Sequence, residues 1–245
     1  MGSSPEYYDI LYGGVRWDIA LFQSRISKSA HILEVAAGTG RISIPLAKYN
    51  RSIVASDVST TMTEHLNRRA QMLKLRSFDV LCCDMRFLPF RSALFDTVIC
   101  AFGSINYVLS SAERVRALRE MRTVIKSDGT VWVDVNGDAV LPKEARDSVG
   151  KVAEMTEIYT AAGERVCYSV SQLVAPTESL AIRTFSTSRE SVSFSWHCAR
   201  ISVAEFTVEA DAAGLEILSI SPWGGADDPD SWLFELKPKN RVRGR

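Results

Sequence analysis

Between His31 and Asn136 the chain alternates short apolar runs with helix-length amphipathic stretches. The runs are ILEV at 32–35, SIVASD at 52–57, FDVLCCD at 78–84, LFDTVICAF at 94–102 and GTVWVDV at 129–135. Helix signals fill the gaps: Arg41 to Tyr49, then STTMTEHLNRRAQMLKL with Ser59 or Thr60 as cap, then SSAERVRALREMRTVIK. The last places Val115, Leu118, Met121 and Ile125 on one face, and Ser127-Asp128-Gly129 is its stop signal. Pro45 fits only an early turn of its helix. Parallel neighbours need a crossover, and helices supply it here, so alternation of this kind predicts a parallel sheet covered on both faces. The expected fold class is α/β, a doubly wound, mostly parallel, seven-stranded Rossmann-like sheet.

From about Lys143 the pattern changes. VAEMTEIYT, ERVCYSVSQLV, ESLAIRTFS and ESVSFSWHC follow one another across short polar turns with no helix between them. They predict an antiparallel β meander inserted into the α/β domain. In the last, Val192, Phe194, Trp196 and Cys198 share one face, and Ser191, Ser193, Ser195 and His197 the other. A helix capped by Ser202 then runs to Gly214, and LEILSIS and SWLFELK make a closing hairpin. Three parts are expected: an N-terminal lid at 1–30, a ligand-binding α/β domain at 31–140 and 200–237, and the insert at 141–199.

A chain of 245 residues suits one large domain carrying such an insert. Lys plus Arg and Asp plus Glu number 29 each, so no net field recruits nucleic acid or an anionic membrane. The basic tail KPKNRVRGR reads as a frayed end. There is no signal-peptide pattern and no apolar run long enough to span a bilayer. The five cysteines lack metal-ligand spacing, and Cys82, Cys83 and Cys100 lie in apolar runs, which reads as buried reduced thiols in a cytoplasmic protein.

The chemistry begins at HILEVAAGTGR, where a strand runs into glycines Gly38 and Gly40. Glycine lets a ligand approach the backbone, and free amides at a helix start face it. Asp57, closing the next strand, is placed to accept two ribose hydroxyls. A dinucleotide site wants a third glycine, but here Ser43 stands in that place. Glu34 would repel a pyrophosphate and suits a cationic amino-acid tail, which favours S-adenosylmethionine over NAD.

At this point the chain resembles the class I S-adenosylmethionine-dependent methyltransferases, over most of residues 7 to 236. LEVAAGTGR is similar to the family's first motif, with Ala36 where a glycine usually lies; SDVS resembles the ribose segment. The resemblance implies a cofactor site of Tyr8, Glu34, Ala36, Gly38, Gly40, Arg41, Asp57, Val58, Met62, Asp84, Met85, Ala101 and Phe102. Within it, Met62 lies near the adenine, Asp84 takes the adenine amino group and the Met85 amide a ring nitrogen. FDTVICAFGSINYV resembles the loop that faces cofactor and substrate, and IKSDGTVWVDVN the fifth-strand segment. YYDILYGG, SINYV and the β-rich insert look like the small-molecule branch, which includes amino-sugar and glycine or sarcosine N-methyltransferases. There Tyr7, Tyr8 and Tyr12 match a segment that closes over the cofactor. One departure is Tyr107, where the amino-sugar enzymes have histidine.

Methyl transfer needs alignment more than charge stabilisation, and a base only for a protonated acceptor. Candidate catalytic residues are Tyr107, Asn106 and His197; candidate acceptor contacts are Tyr12, Trp17, Ser104 and Trp196. Arg16 is as well placed on the surface as in the pocket, and Arg183 and Arg189 read as solvated strand ends rather than holders of an acidic acceptor. His31 reads as structural and His65 as solvent-facing. Asp134, Asn136 and Asp138 make only a faint metal cluster, so no metal is expected. The partner is a small-molecule acceptor and the state a monomer or homodimer. The competing readings are a cofactor-binding regulatory module and an NAD-dependent oxidoreductase.

Overall fold

The computed structural model describes residues 4–49, 52–137, 156–159, 165–174, 177–188, 190–223 and 231–239. Two helices, α1 (Pro5–Tyr12) and α2 (Trp17–Arg25), precede the alternating half of the chain. That half runs β1 (His31–Val35), α3 (Ser43–Ala47), β2 (Ser52–Asp57), α4 (Thr60–Met72), β3 (Phe78–Cys82), β4 (Phe95–Cys100), α5 (Ser111–Val124) and β5 (Ile125–Asn136). The rest runs β6 (Thr156–Tyr159), β7 (Arg165–Val174), β8 (Glu178–Ser186), β9 (Ser191–Ala199), α6 (Val203–Ala212), β10 (Leu215–Trp223) and β11 (Ser231–Pro238).

Seven strands form one sheet in the order β10-β11-β5-β4-β1-β2-β3, and β6-β7-β8-β9 form a second. β1 pairs in parallel with both β2 and β4, so the strand order reverses between β1 and β4. That reversal opens a crevice at the carboxyl ends of the strands, where ligands of such sheets bind. β11 is antiparallel to both β5 and β10, the closing hairpin expected from the sequence. The second sheet is antiparallel throughout, the expected meander. Arg189 and the start of its first strand lie outside the described residues.

Alternation sorts the main sheet's two faces. Leu33, Val98, Val131 and Val133 join Leu118 and Met121 of α5 and Phe206 of α6. Ile32, Ile99 and Trp132 join Phe22 of α2 and Leu46 of α3. Each such large apolar side chain, taken out of water, contributes roughly 1.5–3 kcal/mol. Between α5 and α6 a charged tie is buried: the Arg114 guanidinium donates to Glu209 Oε1 at 2.6 Å and to the Leu109 carbonyl at 2.7 Å. It holds the stretch that leaves β4 against both helices.

Several sequence expectations shift. The helix expected over Arg41–Tyr49 shrinks to Ser43–Ala47, and Pro45, which has no amide hydrogen to donate, falls within its first turn. α5 ends at Val124, and Ser127-Asp128-Gly129 lies inside β5 rather than in a turn. Of the cysteines in apolar runs, only Cys100 is buried; Cys82 is exposed and Cys83 half-buried. The β3 edge strand has an open side, so an apolar run there does not guarantee burial.

Candidate active site

β1 ends in a turn built from left-handed residues: Ala36 at φ 53°, Gly38 at φ 56° and Gly40 at φ 83°. For Ala36 that conformation costs roughly 1–2 kcal/mol, held by the packing around it. A side chain at Gly40 would meet Leu66 Cδ1 at 2.3 Å, so this glycine serves the packing of α4. Above Gly38 only the Tyr8 ring stands within reach, at 3.9 Å. The turn is therefore open toward α1 and lined by backbone.

Asp57 closes β2 beside this turn. Its Oδ2 accepts from the Gly38 amide at 2.8 Å and its Oδ1 from the Ser59 amide at 2.9 Å. Burial pushes its carboxyl up, and these amides pull the other way. Ser59 also caps α4, accepting from the Met62 amide at 3.4 Å. Met62 is buried beneath, and Val58 is 69% exposed at the rim. Asp84 meets its own neighbour: Arg86 Nη2 donates to Oδ2 at 2.6 Å and holds this carboxyl below its ordinary range. Met85 packs at the edge of the larger core.

Glu34 and Asp134 are buried on one face of the sheet, on β1 and β5. Burial pushes each up to about 7. Glu34 Oε2 and Asp134 Oδ1 have no hydrogen-bond partner. Asp134 Oδ2 accepts from the Gly103 amide at 2.9 Å, which anchors the loop after β4. Between these acids and α2, Arg41 donates in fork fashion to Asp18 at 2.7 and 2.6 Å, with its guanidinium 4.4 Å above the Phe102 ring. The sequence reading missed Asp18 altogether and weighed Asp134 only as a metal ligand. Charge at the first turn of α2 was the available signal for Asp18. Among the described residues, no group of three or more His, Cys, Asp or Glu side chains is placed to hold a metal, and Asp138 lies outside them.

α1 covers the turn. Asp9 accepts from Thr39 Oγ1 at 2.6 Å and pairs with Arg69 of α4 at 3.0 Å. His65, expected to face solvent, is turned inward, its Nε2 3.4 Å from the same Asp9. Tyr7 stacks on Phe185 of the second sheet at 4.5 Å, whereas Tyr12 lies 5.0 Å from both Tyr8 and Phe102. One short helix thus touches the turn, the loop after β4 and the insert.

The insert's inner face supplies the rest. Strand alternation puts Val170, Arg183 and Phe194 side by side on it. Arg183, expected to be a solvated strand end, is buried at mid-strand, with its guanidinium 4.6 Å over Trp196 and 5.6 Å over Tyr12. Tyr107 keeps 46% of its surface accessible, yet burial and the nearby Cys198 and Tyr12 push its hydroxyl well above the ordinary phenol range. Tyr12, Tyr107 and Tyr168 lie close enough to the Arg183 guanidinium to act on its charge, and the Trp196 ring lies beneath it.

Four expected site residues go elsewhere. The Asn106 amide donates to the carbonyls of Asn136 and Ala199, both at 2.8 Å, and its oxygen accepts from the Asn136 amide at 3.1 Å. It clamps β5 to β9, with both of its amide hydrogens spent on backbone carbonyls. His197 points to the outer face, where its Nε2 lies 2.7 Å from Glu178, as the period of the strand requires. Ser104 spends its hydroxyl on the Ala101 carbonyl at 2.7 Å. Trp17 packs edge-on against Trp223 at 4.6 Å and does not join the tyrosine group. Ala101 is buried and packs with Ile99 and Trp132. Among the described residues, no helix is long and apolar enough to cross a membrane.

Comparison with known proteins gives this geometry a setting. Residues 32–129 match the family described as a methyltransferase domain. The ubiquinone/menaquinone biosynthesis C-methyltransferase UbiE of Geotalea uraniireducens is 33% identical over 116 residues, covering 45% of this chain and 47% of that protein. The counterpart from Ralstonia nicotianae is 30% identical over 132 residues, covering 51% and 52%. The chain thus spans about half the length of these curated relatives. Among solved structures, an S-adenosylmethionine-dependent methyltransferase from Clostridium acetobutylicum superposes with TM-score 0.75 at 15% identity, covering 95% of this chain and 96% of that one. The sugar N-methyltransferase KedS8 from Streptoalloteichus superposes with TM-score 0.73 at 21% identity, covering 98% and 94%. The fold, insert included, is the one these structures share.

Proposed function

We propose, from the methyltransferase domain that this chain carries over residues 32–129, that it transfers a methyl group from S-adenosylmethionine to a nitrogen or oxygen of a small molecule. The observation that carries this reading is Glu34: a buried carboxylate with an unpartnered oxygen, beneath a backbone turn open at Gly38. A pyrophosphate would meet repulsion there, whereas an ammonium finds its counter-charge. When bound, the cofactor supplies an electrophilic methyl group on a cationic sulfur.

The chain's own residues hold and shield. Asp57 has lone pairs left, beyond those on the Gly38 and Ser59 amides, for the two ribose hydroxyls. Asp84 and the Met85 amide face the adenine edge, and Val58 forms the rim. Tyr8 closes over the turn and excludes water. On the far side, Tyr12, Tyr107, Trp196 and Arg183 shape the acceptor space. Holding two reactants in line supplies roughly 7–11 kcal/mol of a barrier like this one. Tyr107, kept neutral, donates a hydrogen bond and does not take a proton. Cys198 is likewise pushed up, to about 11. With His197 on the outer face, an acceptor that already carries a free lone pair suits the space best. Solved relatives described as a sugar N-methyltransferase and an amino pentose methyltransferase, built with the same insert, support a small-molecule acceptor.

The test is calorimetric titration with S-adenosylmethionine, S-adenosylhomocysteine and NAD, followed by turnover on a panel of amines and phenols. Binding of the first two and methylation of a panel member are expected. Binding of NAD alone would return the chain to the oxidoreductases, and tight cofactor binding without any turnover would favour a regulatory module.

A further inference from the structure

Two acids, not one, keep an unpartnered oxygen at the donor end of the sheet. Glu34 lies opposite Ile99 of β4, and Ile99 lies opposite Trp132 of β5. Partners in register share a face, and alternate residues along a strand do too. Glu34 and Asp134 therefore stand on the same face, with Ala101 packing in the cluster that separates them. Ile99 and Ala101, which lie between the two acids, pack in that cluster with Trp132 and Leu233.

The surrounding charges sharpen the point. Asp18 of α2 and Arg41 after β1 act on both Glu34 and Asp134, and both acids act on the Cys100 thiol of β4. Tyr8 of α1 faces Glu34 and Arg41. The one guanidinium in this group is engaged by both oxygens of Asp18. The Gly103 amide takes one oxygen of Asp134. What remains are Glu34 Oε2 and Asp134 Oδ1, each buried and without a partner.

We propose that Asp134 joins Glu34 in a two-carboxylate seat for the ammonium of the methyl donor, and that filling the seat drives a proton from it into solvent. The inference rests on the methyltransferase reading and adds to it a second anionic residue and a linkage. An isolated buried carboxylate avoids the cost of its charge by keeping its proton. A cation arriving between two such groups makes ionisation favourable, so binding and proton release are coupled. Donor affinity then rises with pH through the range in which the seat titrates, by up to about tenfold per pH unit for each proton released.

The experiment uses S-adenosylhomocysteine, which carries the ammonium but not the sulfonium, and the whole chain. Calorimetry near pH 6 in two buffers of different ionisation enthalpy counts the protons released, and a second series near pH 8 gives the affinity with the seat ionised. The natural protein is expected to release at least one proton near pH 6 and to bind more tightly near pH 8. Asp134→Asn keeps an oxygen to accept from the Gly103 amide and loses only the charge. It is expected to bind about tenfold more weakly near pH 8, to release fewer protons, and to show a shallower rise with pH. An Asp134→Asn protein with the affinity and proton count of the natural one would overturn the shared seat. A natural protein that binds tightly and releases no proton would overturn the linkage. No binding of S-adenosylhomocysteine at all would sink the methyltransferase reading itself, and this inference with it.

Discussion

Asp57 has two tasks that a single substitution separates. Its oxygens already hold the Gly38 and Ser59 amides, and the proposed ribose contact uses what is left of them. Asp57→Ala should weaken S-adenosylmethionine binding by roughly 1–3 kcal/mol in calorimetry, with a fall in melting temperature as the turn loosens. Affinity unchanged within error would remove the ribose assignment. Asp57→Asn, which keeps one carbonyl acceptor, should fall between. Arg183 is the acceptor-side counterpart. Arg183→Leu should raise KM for the acceptor and leave S-adenosylhomocysteine affinity as it was; equal KM values would take Arg183 out of the acceptor space. Asp57 and Glu34 were legible in the sequence because Asp57 closes its strand and Glu34 lies one residue short of the end of its own, each at a fixed step from the glycines. Arg183 and Asp18 were not, because their environments come from α1, α2 and the insert meeting across distant parts of the chain. Asn106 misled for the same reason: nothing near it in sequence shows that Asn136 and Ala199 will claim its amide.

At the scale of elements, period-two patterning carried furthest. β7, β8 and β9 lie within a residue or so of the runs that predicted them, because alternation in an antiparallel sheet marks both its faces and its ends. Boundaries governed by tertiary contact shifted instead, as β5 did when it began at Ile125 against Phe95 of β4. Caps were readable too. Ser202 and Glu205 form a reciprocal capping box at the start of α6, and Ser202→Ala should cost roughly 1 kcal/mol in chemical denaturation, with little effect on binding. α1 behaves differently: it is short and is held by side chains rather than by its own length. Asp9 is the point of attachment, to Thr39 and Arg69. Asp9→Asn should speed proteolytic cutting within residues 4–16 while the main sheet keeps its protection from hydrogen exchange; equal cutting rates would show that Tyr7 and Tyr12 suffice to hold the helix.

The whole molecule combines a well-packed sheet with an unsatisfied acidic centre, and the two respond to pH in opposite directions. Glu6, Asp84, Asp96 and Glu205 are held below their ordinary values, so the stability they contribute is present at neutral pH and is lost only as acid protonates them. Glu34 and Asp134, raised to about 7, act the other way. In the folded chain they keep protons that the unfolded chain releases above its ordinary carboxyl range. Stability must therefore fall as pH rises from roughly 4.5 toward 7, and level off above the folded value. The ligand-free protein should accordingly melt at a higher temperature near pH 5.5 than near pH 7.5. Glu34→Gln combined with Asp134→Asn should flatten that slope, because neither replacement titrates. Saturating S-adenosylhomocysteine should flatten or reverse it in the natural protein, since the ammonium stabilises the ionised acids that are otherwise a burden at high pH. If the ligand-free natural protein and the double variant melt with the same pH dependence, the buried acids are not the source of the slope, and the instability at this end of the sheet lies elsewhere.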